Sequence, residues 1–247
     1  QAALQGGGRI FVVCCGSSFH AAKAGALFFN EIAQAPLQPV LPGEFRAEHA
    51  RSLRDGDVIV AVSQSGETKD LIDVLNQVAQ TGRRVSRVGL VNNLNSTLAQ
   101  EKCELVLPLR CGPEVAVPAT KSFLSQMAVF YCLALRLGER LCAALPPGPE
   151  RAARQGALRA RLDGLPSLPD LVAEASTCAA AELERAAQLL YLRPSVHILG
   201  TRHYAVALEG ALKIREVVLN HTQGYEGSEF KHGPNTILGW STLFGPT

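Results

Sequence analysis

Residues 57–70 read DVIVAVSQSGETKD. The first seven, Asp57 to Ser63, form an apolar, β-branched run that reads as a buried strand. The chain then passes through Gly66 into a helical pattern over 68–80. The same strand, turn and helix appear upstream. Residues 9–14 (RIFVVC) are closed by Gly16 and followed by apolar residues at helical spacing over 19–34. Further strands are expected at 85–91 and 103–107, and a long apolar helix at 120–137. Strands alternating with helices imply an α/β fold whose parallel sheet is covered on both faces. Ligands bind such sheets beyond the carboxyl ends of the strands, where Gly16-Ser17-Ser18 and the Ser63 loop both fall.

Farther along, residues 144–169 shift toward Pro, Gly, Arg and Ala, as a linker carrying a short helix would. A second unit follows, with an Ala-rich helix over 173–190, a strand over 195–199 (SVHIL) ending at Gly200, and a helix over 204–220. The expected domains are therefore 1–145, a linker at 146–170, and 171–247. Gly25-Ala26-Leu27 matches Gly210-Ala211-Leu212, Glu31 matches Glu216, and Glu44-Phe45 matches Glu229-Phe230, all at one offset of 185 (210 − 25). On that offset, residue 247 corresponds to position 62 of the first copy, so the second copy is expected to be truncated.

The 247 residues are 47% hydrophobic and 19% charged, with a formal net charge of +2. Lys and Arg are scattered, so no nucleic-acid footprint shows, and no run approaches the roughly 20 apolar residues of a membrane span. Residues 1–8 lack the basic start and apolar core of a secretory signal. Seven cysteines without C-x-x-C spacing suit a reducing cytoplasm and suggest no metal site. Cys15, beside the first Gly-Ser turn, reads either as a nucleophile or as an ordinary strand-end cysteine.

The Ser63 loop opens a helix, so its backbone N–H groups and the helix dipole favour an anion such as a phosphate. Ser63, Ser65 and Thr68 add hydroxyls, Gln64 an amide, and Gly66 close backbone approach. The plain alternative is an N-cap made by Ser65 or Thr68. Ser17 and Ser18 are weaker candidates to complete the cradle. Glu209, Lys213 and Glu216 stand at i, i+4 and i+7 on one helix face. They read either as exposed ion pairs or, because the helix is apolar nearly all round, as buried carboxylates able to move a proton between adjacent carbons of a sugar. His232 lies in a loop bounded by Gly233 and Pro234.

Taken in order, Cys15-Gly16-Ser17-Ser18, the SQSGET loop, Pro118-Ala119-Thr120-Lys121-Ser122-Phe123, the stretch Ala207 to Lys213, and Phe230-Lys231-His232-Gly233-Pro234 resemble the isomerase half of glucosamine-6-phosphate synthase, the glutamine:fructose-6-phosphate aminotransferase. The resemblance runs from about Arg9 onward. It implies two tandem sugar isomerase (SIS) domains, each a three-layer αβα sandwich, the second truncated. It implies that Ser17, Ser18, Ser63, Gln64, Ser65, Thr68 and Val117 bind fructose 6-phosphate or a related sugar phosphate. Glu216 would be the base between C1 and C2, Lys213 its neighbour, and His232 the ring-opening residue, reaching into the partner of a homodimer. No metal or other cofactor is implied.

In the full-length enzyme these parts make glucosamine 6-phosphate for UDP-N-acetylglucosamine synthesis, with a glutaminase domain upstream and a Schiff-base lysine in a C-terminal tail. Both are expected to lie outside this chain, which alone would neither release ammonia nor complete the amination. Ser17 stands for the family's usual Thr, and Ala119 and Ser228 for its Ser and Gly; with Pro118 these point to altered sugar selectivity. Two other readings share the motifs: a stand-alone sugar-phosphate isomerase or amino-sugar-phosphate deaminase, and a non-catalytic sugar-phosphate sensor.

Overall fold

A computed structural model describes residues 6–239. The chain divides into two units, residues 1–158 and 159–247. In the first, the elements are β1 (Ile10–Val13), α1 (Gly16–Phe28), β2 (Gln38–Val40), β3 (Val58–Ser63), α2 (Lys69–Gln80), β4 (Ser86–Val91), β5 (Leu105–Pro108) and α3 (Lys121–Ala143). The five strands form one sheet in the order β2-β1-β3-β4-β5. Every pairing is parallel. This is the expected α/β architecture.

The sheet is apolar on both faces because both are covered. Phe11, Val13, Ile59, Ala61 and Val91 share a core with Leu71, Val74, Leu75 and Val78 of α2 and with Phe45. Val12 and Val62 alternate to the opposite side, where α1 and α3 pack on each other and Phe28 meets Tyr131 edge to face at 5.3 Å. Each large side chain buried this way contributes roughly 1.5–3 kcal/mol. One carboxylate ties the amino ends of the central strands together. Asp57, fully buried, accepts from the Arg9 backbone N–H at 2.8 Å, the Arg9 guanidinium at 2.7 Å and the Arg54 N–H at 3.0 Å.

Several boundaries differ from those read in the sequence. The helix expected at 19–34 begins at Gly16, whose φ of +56° turns the chain in a single residue. It ends in a widened turn over Phe29–Ala33. Ser17 and Ser18 therefore lie in the first helical turn rather than ahead of it. The stretch read as a linker with a short helix forms α4 (Pro149–Gly164), 16 residues long. Leu158 on it is buried, and the Arg154 guanidinium donates to the Ala33 carbonyl at 2.6 Å.

In the second unit the helix expected at 173–190 is two, α5 (Leu168–Cys178) and α6 (Ala180–Leu190). Pro169 starts α5 rather than punctuating a linker, since a helix's first turn needs no N–H from it. Then come β6 (Ser195–Gly200), α7 (Tyr204–Val218) and β7 (His221–Glu226), a parallel βαβ unit in which Ser195 pairs with His221 and Gly200 with Glu226. The shift of 185 that relates the motifs carries the residues of β1 into β6 and those of β2 into β7. Among the described residues no helix is long and apolar enough to cross a membrane.

Candidate functional site

In the order β2-β1-β3-β4-β5 the chain leaves β1 toward one face of the sheet and β3 toward the other. A crevice opens at their carboxyl ends. Two helices begin there, α1 after β1 and α2 after β3, and neither start is closed by a side-chain cap. The first N–H groups of a helix have no partner within it, and the helix dipole adds partial positive charge. The first turn of α1 holds no acidic residue. Asp70, in the first turn of α2, is held outward by Arg46 at 2.9 Å.

The SQSGET loop is braced from within. The buried Ser63 hydroxyl accepts from the Gly66 N–H at 3.0 Å and lies 2.8 Å from Thr68 Oγ1 and 3.4 Å from Ser65 Oγ. Ser65 Oγ accepts from the Glu67 N–H at 3.2 Å. Thr68 stands at the N-cap position of α2 without bonding the helix, so its hydroxyl serves the loop. Gly66 has φ +71°, and a Cβ there would run into the Ser96 side chain. The Gln64 carbonyl accepts from the N–H groups of Asn92 and Asn93. Glu67 accepts from both the N–H and the hydroxyl of Thr97 at 2.8 Å, which holds its carboxyl below the usual range. Sequence reading missed Glu67 and Ser96 because their partners lie about thirty residues away.

Beside this loop, Ser18 Oγ accepts from the Gln126 side-chain amide of α3 at 3.0 Å. The loop before α3 is tied to that helix by Glu114, whose carboxylate accepts from the Ser122 N–H at 3.0 Å and the Thr120 hydroxyl at 3.2 Å. Partial desolvation raises the Glu114 carboxyl, and these hydrogen bonds outweigh it, leaving a net lowering. Glu114 lies outside capping-box spacing, so no local pattern marks it. Val117 stands on the same loop, 89% exposed. Desolvation first, and then the Asp70 carboxylate, push the Cys15 thiol up. A raised thiol pKa works against nucleophilic reactivity, which needs the thiolate.

In the second unit, Lys213 stands between two carboxylates, 3.2 Å from Glu209 Oε1 and 2.6 Å from Glu216 Oε2. Glu209 is the buried member at 6% exposure, and Glu216 is half-buried. The β7 strand packs directly on this helix, since a Cβ on Gly224 would lie 2.7 Å from the Ala207 carbonyl oxygen. His232 follows a single helical turn, Glu229–Lys231. It is exposed, and its ring forms no hydrogen bond among the described residues.

No cluster of His, Cys, Asp and Glu suited to a metal occurs among the described residues. A surface depression of about 390 Å³, lined by Arg83, Arg84, Arg87 and Glu104, lies at the amino end of β4, away from the crevice. Its Arg84 and Arg87 are already paired with Asp55 and Glu104.

The SIS domain family model matches residues 3–136. Over 230 residues the chain is 36% identical to the isomerizing glutamine–fructose-6-phosphate aminotransferase of Caulobacter vibrioides, covering 93% of this chain and 36% of that protein. It is 32% identical over 231 residues to the enzyme of the same name from Aquifex aeolicus, covering 35% of it. The chain thus spans about a third of the length of the curated relatives it matches. Among solved structures, the C-terminal domain of glucosamine-fructose-6-phosphate aminotransferase from Francisella tularensis superposes with a TM-score of 0.80 at 26% identity, covering 93% of this chain and 61% of that one. Glucosamine-6-phosphate deaminase from Thermotoga maritima shares the fold, with a TM-score of 0.64 at 20% identity, covering 93% and 64%. The motifs, the sheet order and these matches agree: the chain belongs to the SIS domain family.

Proposed function

We propose that this chain is the sugar-phosphate-isomerising part of a glutamine:fructose-6-phosphate aminotransferase. The observation that carries the reading is the pair of uncapped helix starts, α1 and α2, flanking a hydroxyl-rich loop at the switch point of the sheet. A phosphate monoester satisfies both the orphan N–H groups and the dipoles. Ser17, Ser18, Gln64, Ser65 and Thr68 hold the phosphate of fructose 6-phosphate, Ser63 keeps the loop in shape, and Val117 borders the sugar. The names of the relatives support the choice of substrate.

Glu216 acts as the base. Its carboxylate takes the C1 proton as the C1–H pair forms a C1–C2 double bond and the C2 carbonyl pair moves onto its oxygen, which is protonated. Glu216 then returns the proton to C2 as the C1 hydroxyl loses its own proton and becomes the carbonyl. Lys213, 2.6 Å away, holds that carboxylate in position. His232 opens the sugar ring in the site of a second copy, and its exposed ring without a hydrogen bond among the described residues supports such an outward role. In this reading the second unit is a second SIS domain, the protein is a cytoplasmic homodimer, and a glutaminase domain on the longer chain supplies ammonia.

Glu216→Gln tests the assignment. In heavy water the wild type should exchange the C1 hydrogen of fructose 6-phosphate with solvent, as read by NMR. The variant should bind the sugar phosphate with unchanged affinity and lose the exchange. Exchange at the wild-type rate in the variant removes Glu216 from the mechanism.

A further inference from the structure

The buried face of α3 carries Ser122, Gln126, Phe130, Ala134, Gly138 and Cys142, one residue every four. From Phe130 onward this seam is apolar or small. Its first two positions are polar, although Ser122 and Gln126 are each only 1% exposed. The change of character falls where the seam reaches Ser18, whose Oγ accepts from Gln126 Nε2 at 3.0 Å. Among the described residues, Gln126 Oε1 and Ser122 Oγ have no hydrogen-bond partner. A side chain buried with half its amide unsatisfied is a liability in a helix seam that Leu or Met would fill. The bond to Ser18 is what Gln126 provides in return.

That bond also has a direction. A serine hydroxyl has one proton to give and two lone pairs to accept with. The Gln126 amide fills a lone pair, so the Ser18 proton is not needed for this contact. Nothing among the described residues accepts that proton. Ser18 lies in the first turn of α1, beside the N–H groups that face the crevice. A hydroxyl fixed as an outward donor there favours an anionic oxygen over a neutral donor group.

We infer that Gln126 is a positioning residue for the anion site: by donating to Ser18 Oγ it presents the Ser18 hydroxyl as a hydrogen-bond donor to the phosphate of the sugar. The inference rests on the phosphate reading of the crevice proposed above.

Calorimetry on the full chain with fructose 6-phosphate, and with inorganic phosphate alone, tests it through Gln126→Met, Ser18→Ala and the double variant. Gln126→Met should weaken both ligands about five- to tenfold. On the Ser18→Ala background it should have no further effect, because the hydroxyl it acts through is gone. Wild-type binding by Gln126→Met, or an equal loss on both backgrounds, overturns the inference while leaving the phosphate site intact. Wild-type binding by Ser18→Ala instead overturns the place of Ser18 in that site, and the inference with it.

Gln126→Glu decides the matter independently of whether the methionine variant folds. Its carboxylate accepts a hydrogen bond from the Ser18 hydroxyl and so turns that donor away from the ligand. Affinity relative to wild type should be lowest at pH 8 and recover as the carboxyl protonates. This pH dependence should be smaller on the Ser18→Ala background, where only charge repulsion remains. A loss independent of pH marks Gln126 as merely structural and overturns the inference.

Discussion

The hydroxyls of Ser63 and Thr68 lie 2.8 Å apart, joining the last residue of β3 to the residue that precedes α2. The loop between them is therefore a closed ring of polar contacts, and its serines have separable roles. Ser63 is buried at 4% exposure, whereas Ser65 faces outward. Ser63→Ala should lower stability by roughly 1–3 kcal/mol, because the Gly66 N–H loses its acceptor. Ser65→Ala should change stability by less than about 0.5 kcal/mol yet weaken sugar-phosphate binding by roughly 1–3 kcal/mol. Thermal melts and calorimetry on the two variants separate these effects.

Gly66 has no tolerant replacement. Its φ of +71° strains any side chain, and a Cβ would meet Ser96, which is fully buried. Gly66→Ala should cost roughly 2 kcal/mol or more in denaturant melts. Adding Ser96→Gly should recover the part due to the clash and leave the part due to φ.

The Asp57 clamp predicts a pH dependence. Burial raises its carboxyl, but the hydrogen bonds from Arg9 and Arg54 prevail and the net direction is down. A carboxyl whose folded pKa is depressed supplies stability above its unfolded pKa, about 4. That stability is lost as pH falls through the folded value. Asp57→Asn should be less stable than wild type by roughly 3 kcal/mol at pH 7, with the gap narrowing below about pH 4. A constant gap across that range in urea melts contradicts the clamp.

Lys213→Met removes the cation that stands between the carboxylates of Glu209 and Glu216. Stability should fall by roughly 3 kcal/mol at neutral pH. Lys213→Arg, which keeps a cation between the two carboxylates, should retain most of that stability. Thermal melts of the two variants read the difference.

The main strands of the first sheet were legible because fully buried parallel strands are continuous apolar runs, as in Phe11 to Cys14 and Val58 to Val62. β2 and β7 were not. The first is three residues containing Pro39, and the second, His221 to Glu226, is polar and interrupted by Gly224. Gly224 is needed for close contact with the α7 backbone, a tertiary demand that local propensity does not register. The candidate loop was visible as a motif, but its bracing was not. Glu67 with Thr97 and Gln126 with Ser18 are contacts of sequence-distant residues, and Glu114 reaches Ser122 eight residues on, across an irregular loop; no spacing rule marks any of them. The Ala-rich stretch read as one helix is two because the chain turns at Ala179, where composition gives no sign.

Although β1 comes first among the described strands, it lies inside the sheet, between β2 and β3. A nascent chain that has emerged only through Gln38–Val40 can pair β1 on one edge, leaving the other edge and the Asp57 contact to Arg9 open until residues 57–63 follow. The helix α3, which packs with α1 on the far face, arrives later still, at residues 121–143. During synthesis the apolar run Phe11 to Cys14 is thus exposed for the time taken to make roughly a hundred further residues, on the order of 5–20 seconds at ordinary elongation rates. The segment that organises the crevice in the finished fold is also the one most in need of shielding while the polypeptide is being made.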